Sequence, residues 1–283
     1  MEVVQTKEVP DKAILLKHRG DGLGFRDLFT GDPEDPMNNY YVVYATQKGF
    51  YSPVHKHNFD QFRFPIKGSI SILPDLDVEE GELCYHPEGV KYGPQNDGPE
   101  ERAVLVLQFG GASKQGYLNH SQLKGAEESL REKGGRFEQG KYFGPNANPS
   151  IPIDGFRAIW EEYTGQTMIF PEGRYGSVVN MKPAAYTYVQ DKSNATISRK
   201  KLGVFSERET RAEVVKVVAG GSWDIPSEDA TRVYWVISGS GSVDGQELKA
   251  ESAGRLKPGS SATVICEGAD LEILCFALPT LYA

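Results

Sequence analysis

What the 283 residues lack narrows the field first. Cysteine is scarce: Cys84, Cys266 and Cys275 are odd in number and far apart, with no CxxC or zinc-knuckle spacing, so neither a disulfide framework nor a thiolate-held zinc is expected. They read as core thiols. No apolar run approaches the ~18 residues of a membrane-crossing helix, and the charged opening MEVVQTKEVPDKAILLKHRGDG contains no signal-peptide core. A soluble, cytoplasmic protein with no membrane partner is the expectation. Positive charge is in deficit, 31 Lys+Arg against 39 Asp+Glu for a formal net charge of -8, which argues against nucleic acid as a partner. Nucleophile motifs are missing too: there is no G-x-S-x-G, and GGASKQG (110 to 116) lacks the order of a phosphate loop, so its glycines read as turn formers.

What is present is turn residues and strand formers. The chain carries 31 Gly and 17 Pro, and segments such as NNYYVVYAT (38 to 46), SISILP (69 to 74), RAVLVLQF (102 to 109) and VYWVISG (233 to 239) are rich in β-branched and aromatic residues. The pattern predicts an all-β fold of barrels or sandwiches. Length predicts two domains, placed at 1–145 and 146–283. SQLKGAEESLREKGG (121 to 135) predicts one short connecting helix, capped by Ser121, with Leu123, Ala126 and Leu130 on one face and Gly134-Gly135 as its stop. FGPNANPSIPIDGF (143 to 156) reads as a linker, DLDVEEGE (75 to 82) as a solvated loop, and SGSGS (238 to 242) as a hairpin turn.

The chemistry gathers in HKHNFDQFRFPIKG, residues 55 to 68. Side chains alternate along a strand, so His55 and His57 share a face with their rings adjacent, a geometry that suits two cis positions on a Fe, Ni, Cu or Zn ion. The same alternation puts Arg63 beside Gln61 on that face and Phe62 and Phe64 on the other. An inward guanidinium calls for an anion, either a protein carboxylate or the carboxylate or enolate of a substrate. His18 and His120 lie outside the pattern, and His120 reads as a helix-capping residue. Gly49, His55, His57, Gln61 and Gly68 recur at identical spacing as Gly220, Pro226, Glu228, Arg232 and Gly239. The second half therefore repeats the skeleton without the imidazoles.

That spacing resembles the first motif of the cupin superfamily, G-x5-H-x-H-x3-E-x6-G. Gly81, Pro87, Gly89 and Asn96 are similar to the second motif, with Tyr92 standing where the family has a third histidine. The resemblance implies two cupin-type jelly-roll barrels, a bicupin whose N-terminal barrel holds the pocket and whose C-terminal barrel is degenerate, and it admits a homodimer. It further implies one divalent transition metal on His55, His57, Gln61 and Tyr92, although exchanging an acid for an amide and an imidazole for a phenol weakens the set. Tyr92, Asp60 or His86 could compensate, with Asp60 otherwise read as a solvated strand or turn residue. The function implied is a metal-dependent enzyme acting on a small organic substrate, with oxygenase chemistry favoured over isomerisation, cyclisation or decarboxylation and with Tyr92 and Arg63 as acting groups. The alternatives are a metal-free enzyme using His/Tyr acid-base chemistry and a non-catalytic small-molecule-binding bicupin.

Overall fold

The computed structural model describes residues 1–16, 20–34, 39–145 and 152–280. His18 and residues 146–151 of the expected linker lie outside the described residues. The chain divides into two compact units, Asp11–Asn180 and Met1–Pro10 with Met181–Ala283. The division falls later than the 145/146 boundary read from the sequence. The expected linker leads into a helix, and that helix packs back on the first barrel. Among the described residues no helix is long and apolar enough to cross a membrane.

In the first unit, Phe59–Lys67 sits between Leu83–His86 and Glu101–Gly110 in a seven-stranded sheet that continues through Tyr40–Lys48, Gly20–Thr30 and Lys12–Leu16. Val179–Met181 lies on its other edge, and short pairs, Tyr51–Ser52 with Gln95–Asn96 and Ile70–Leu73 with Leu76–Val78, make the opposing layer. The stretch 75 to 82 is thus partly strand, with Val78 fully buried, because it pairs back on Ile70–Leu73. Alternation fills the barrel: Tyr41, Val43, Ala45, Val104 and Val106 turn inward to one apolar cluster. Cys84, Cys266 and Cys275 are buried free thiols.

Two helices pack on this barrel. The first, α1 (His120–Glu132), is capped by Asn119 and not by Ser121, because Asn119 and Gln122 exchange hydrogen bonds: Gln122 N donates to Asn119 Oδ1 at 3.1 Å, and Asn119 N to Gln122 Oε1 at 2.8 Å. Asn119→Ala should lower stability by about 1 kcal/mol in a denaturant titration. An unchanged midpoint would remove the cap from the account. The second helix, α2 (Gly155–Thr164), starts inside the expected linker, where Asp154 Oδ1 accepts from Arg157 N at 3.1 Å. Its Phe156 and Trp160 enter the barrel core, while Ala158 and Ile159 pack with Ala126 and Leu130 of α1.

In the second unit a seven-stranded sheet runs Glu2–Gln5, Ser252–Leu256, Arg232–Ser238, Leu271–Ala277, Arg211–Val217, Ile197–Val204 and Val189–Gln190. A four-stranded sheet of Ser222–Ile225, Ala262–Cys266, Ser240–Val243 and Gln246–Lys249 faces it across a core of Val215, Trp223, Tyr234, Val264 and Ile273. SGSGS is not a hairpin turn. Arg232–Ser238 and Ser240–Val243 belong to different sheets, and Gly239 (φ 87°) is the corner between them; a Cβ there would lie 2.3 Å from the Asp270 carbonyl. Gly68 (φ 71°) turns the same corner in the first barrel, so the shared glycine spacing encodes barrel geometry in both halves.

Candidate active site in the first barrel

The strand Phe59–Lys67 carries the site. Phe62 packs outward against Tyr85 and Phe109 with ring centroids 5.1 and 5.8 Å away, and Gln61 and Arg63 point into the barrel, as alternation requires. Tyr92 enters from the facing segment, where its N–H and C=O each bond with those of His55 at 3.0 Å. That backbone bridge brings the two side chains together.

The Tyr92 hydroxyl is the hub. It lies 2.9 Å from His55 Nε2, 2.6 Å from Gln61 Nε2, 3.4 Å from His57 Nδ1 and 3.5 Å from Arg63 Nη2. Proton counting fixes the directions. His55 Nδ1 sits 2.6 Å from the Pro53 carbonyl, which can only accept, so Nδ1 carries the proton and bare Nε2 accepts from the Tyr92 hydroxyl. With its one proton spent on His55, the Tyr92 oxygen has two lone pairs to offer: Gln61 Nε2 takes one, and His57 Nδ1 and Arg63 Nη2, at 3.4 and 3.5 Å, share the other. In the tautomer in which His57 Nδ1 donates to that oxygen, its Nε2 carries no proton.

Arg63 is 9% exposed, and no carboxylate reaches it within ion-pair distance among the described residues. Its Nη1 donates to Gln95 Oε1 at 2.7 Å, its Nε to Gln61 Oε1 at 3.5 Å, and the guanidinium lies over the Tyr92 ring. Gln95 is held in that orientation because its Nε2 donates to Asp97 Oδ2 at 2.5 Å and to Gln47 Oε1 at 3.1 Å. Arg63 and His57 line a cavity of ≈ 100 Å³ together with Gln47, Gln108, Tyr117 and His120. Phe25, Phe50, Phe59, Val106 and Phe156 supply its apolar wall. His120 is the first residue of α1, but its ring is turned to Phe25 and Tyr41, with centroids 5.3 and 5.7 Å away, which corrects the capping role.

His86 and Asp60, the two candidates for compensation, part company. His86 pairs with Gln61 across the sheet and so shares its inward face, with its ring centroid 4.5 Å from that of Tyr92. It is 1% exposed, neither ring nitrogen has a hydrogen-bond partner among the described residues, and burial followed by the charges of Arg63 and His55 holds its pKa well below the ordinary value. Asp60 faces the other way and is buried, not solvated, because its Oδ1 accepts from Glu88 N at 2.7 Å. Burial, aided by the Glu88 charge, raises its pKa to about 7. A carboxyl raised from its unfolded value of about 3.9 stabilises the fold fully below that value and loses the contribution as pH rises through about 7. Stability should therefore fall by roughly 2–4 kcal/mol between pH 4 and 8, with Asp60→Asn flattening the slope. Parallel slopes for the two proteins would refute that assignment.

A divalent ion does not fit the donors as they stand. His55, His57, Gln61 and Tyr92 are gathered, but about a phenol oxygen. No carboxylate is among them, and Gln61 turns its NH2 to that oxygen and its Oε1 to Arg63 and Gln108. A guanidinium stands 3.5 Å from the shared point and would repel the ion. Among the described residues no three His, Cys, Asp or Glu side chains are grouped to hold a metal.

In the second barrel the matching positions hold ion pairs and backbone contacts. Arg211 pairs with Glu228, and Arg199 with Glu213 at 2.8 Å and Asp191 at 3.3 Å. Arg232 donates to the Pro226 and Ser260 carbonyls at 2.5 Å each. A cavity of ≈ 110 Å³ opens there, lined by Pro226, Glu228 and Arg232, but each of its arginines already has a carboxylate.

No family model and no curated protein matches the sequence. Solved structures do match. A candidate dioxygenase from Nostoc punctiforme is similar over 100% of this chain and 84% of its own, with TM-score 0.65 and 11% identity. An oxalate decarboxylase of Lactobacillus farciminis, solved with formate, is similar over 98% and 86% (TM-score 0.56, 13% identity), and one of Bacillus subtilis over 99% and 78% (TM-score 0.56, 16% identity). Likeness at such identities speaks to architecture alone, and it agrees with the two sheet pairs and the repeated glycine corners: the chain has the fold of two jelly-roll barrels in one polypeptide, similar to that of these two-barrel proteins.

Proposed function

We propose that the first barrel is the active site of an enzyme that moves a proton on a small carboxylate or enolate, as an isomerase, lyase or decarboxylase does. The observation that carries this reading is Arg63, a buried guanidinium lining a cavity with neutral partners only. Burying an unpaired charge is costly, and an anionic substrate offsets that cost. The bound anion lies beside His57, whose bare Nε2 takes the substrate proton. As it does so, His57 Nδ1–H passes its proton to the Tyr92 oxygen, and the Tyr92 proton passes to His55 Nε2. The charge arrives on a half-buried imidazole that can exchange with water. Reversal of the relay returns a proton to the product.

The test is deuterium exchange. In D2O the protein should speed loss of the carbon-bound protons next to the carbonyl of 2-oxobutanoate, read by NMR, and a chelator should leave the rate unchanged. No acceleration over a heat-inactivated control would refute the reading.

Oxygenase chemistry at a metal is the second reading, favoured by the approach of His55 Nε2 and His57 Nδ1 to one point. Metal analysis of the purified protein beside its His55→Ala/His57→Ala variant decides between the two. An ion in the first that is missing from the second would favour the metal.

A further inference from the structure

We infer that the first barrel selects an amphipathic monoanion about the size of a four-carbon carboxylate, and that it discriminates against compact dianions such as oxalate. This rests on the reading that Arg63 holds the substrate's charge.

Charge, polarity and size each limit the occupant. Arg63 is the one lysine or arginine among the residues lining the cavity, and no Asp or Glu lines it. Part of its charge is already spent, since Gln95 links it to Asp97. One negative group is therefore offset. A second would be stripped of water without a cation to meet it, which is the costly case. Beside Gln47, Gln108, His57 and His120, much of the wall is apolar, from Phe25, Val43, Phe50, Val106 and Phe156, and rewards a hydrocarbon body. At ≈ 100 Å³ the space lies well below the ~300–1,000 Å³ of pockets for drug-sized ligands, so that body is short or branched. Oxalate has two charges and no hydrocarbon. It suits neither end.

The distinction is measurable by isothermal titration of the whole chain with 2-methylpropanoate, its neutral amide and oxalate. The carboxylate should bind at least about tenfold tighter than either of the others, and Arg63→Gln should weaken it by about 10- to 100-fold. Leu123→Trp, which fills the cavity from α1, should abolish binding, so the size argument stands even if Arg63→Gln does not fold. Oxalate binding as tightly as 2-methylpropanoate, equal binding of the amide, or no binding of any probe would overturn the inference. Titration reads binding without turnover. Loss of the proton-transfer proposal would leave this result intact, and the reverse also holds.

Discussion

Tyr92→Phe should slow protein-dependent deuterium exchange on 2-oxobutanoate by about 10²–10⁴-fold, the range expected when a positioned proton-transfer group is lost. The substitution removes one oxygen and keeps the ring, whose centroid lies 4.4 Å from His55 and 4.5 Å from His86. What disappears is the bridge between His57 and His55. His57 can still accept a proton, but its charge is then trapped on a side chain 4% exposed. Binding should separate from turnover: Arg63 keeps its bond to Gln95, so the affinity for 2-methylpropanoate should change less than threefold. Stability should fall by about 1–3 kcal/mol, because Gln61 Nε2 and His55 Nε2 lose their partner. Exchange at the wild-type rate would show that the relay does not pass through this hydroxyl. Loss of binding together with exchange would make Tyr92 a binding residue.

Phe62→Ala should be the most destabilising single change on the site's strand, at about 3–5 kcal/mol in a denaturant titration. Phe62 is fully buried on the outward face and meets Tyr85 and Phe109. The cavity left there sits behind Gln61 and Arg63, and a backbone shift of a few tenths of an ångström would loosen both. Anion affinity should therefore fall as well, although Phe62 lines no part of the cavity. Phe62→Leu, which restores most of the volume, should recover affinity and stability together. Recovery of one without the other would break the link between packing and site.

The legible part of the molecule was local. Period-two alternation sufficed to send His57, Gln61 and Arg63 inward and Phe62 outward, and the glycine spacing carried the corner geometry of both barrels. What alternation could not carry was parity through turns. His86 is separated from Tyr92 by Pro87-Glu88-Gly89, and its inward direction follows only from its pairing with Gln61 across the sheet. Gln47, Gln95, Asp97 and Gln108 were missed because each is an ordinary polar residue until strand pairing sets it beside Arg63 or Gln61. Asp60 looked solvated because nothing in its neighbourhood announces Glu88. Helix α2 did leave a trace: Asp154 as cap, Phe156, Ile159 and Trp160 at helical spacing, and Gly165 as stop. The prolines and asparagines just before it hid that pattern.

Glu2–Gln5 pairs with Ser252–Leu256, so a segment translated early forms the border of a unit whose other strands are translated much later in the same chain. At a translation rate of about 5–20 residues per second, that segment waits many seconds for its partner while the first barrel can already assemble. Expressing 181–283 alone would leave the Ser252–Leu256 strand with open hydrogen-bonding groups and a tendency to recruit other chains. Supplying the opening ten residues as a separate peptide should restore it, a complementation built into the order in which this polypeptide is threaded.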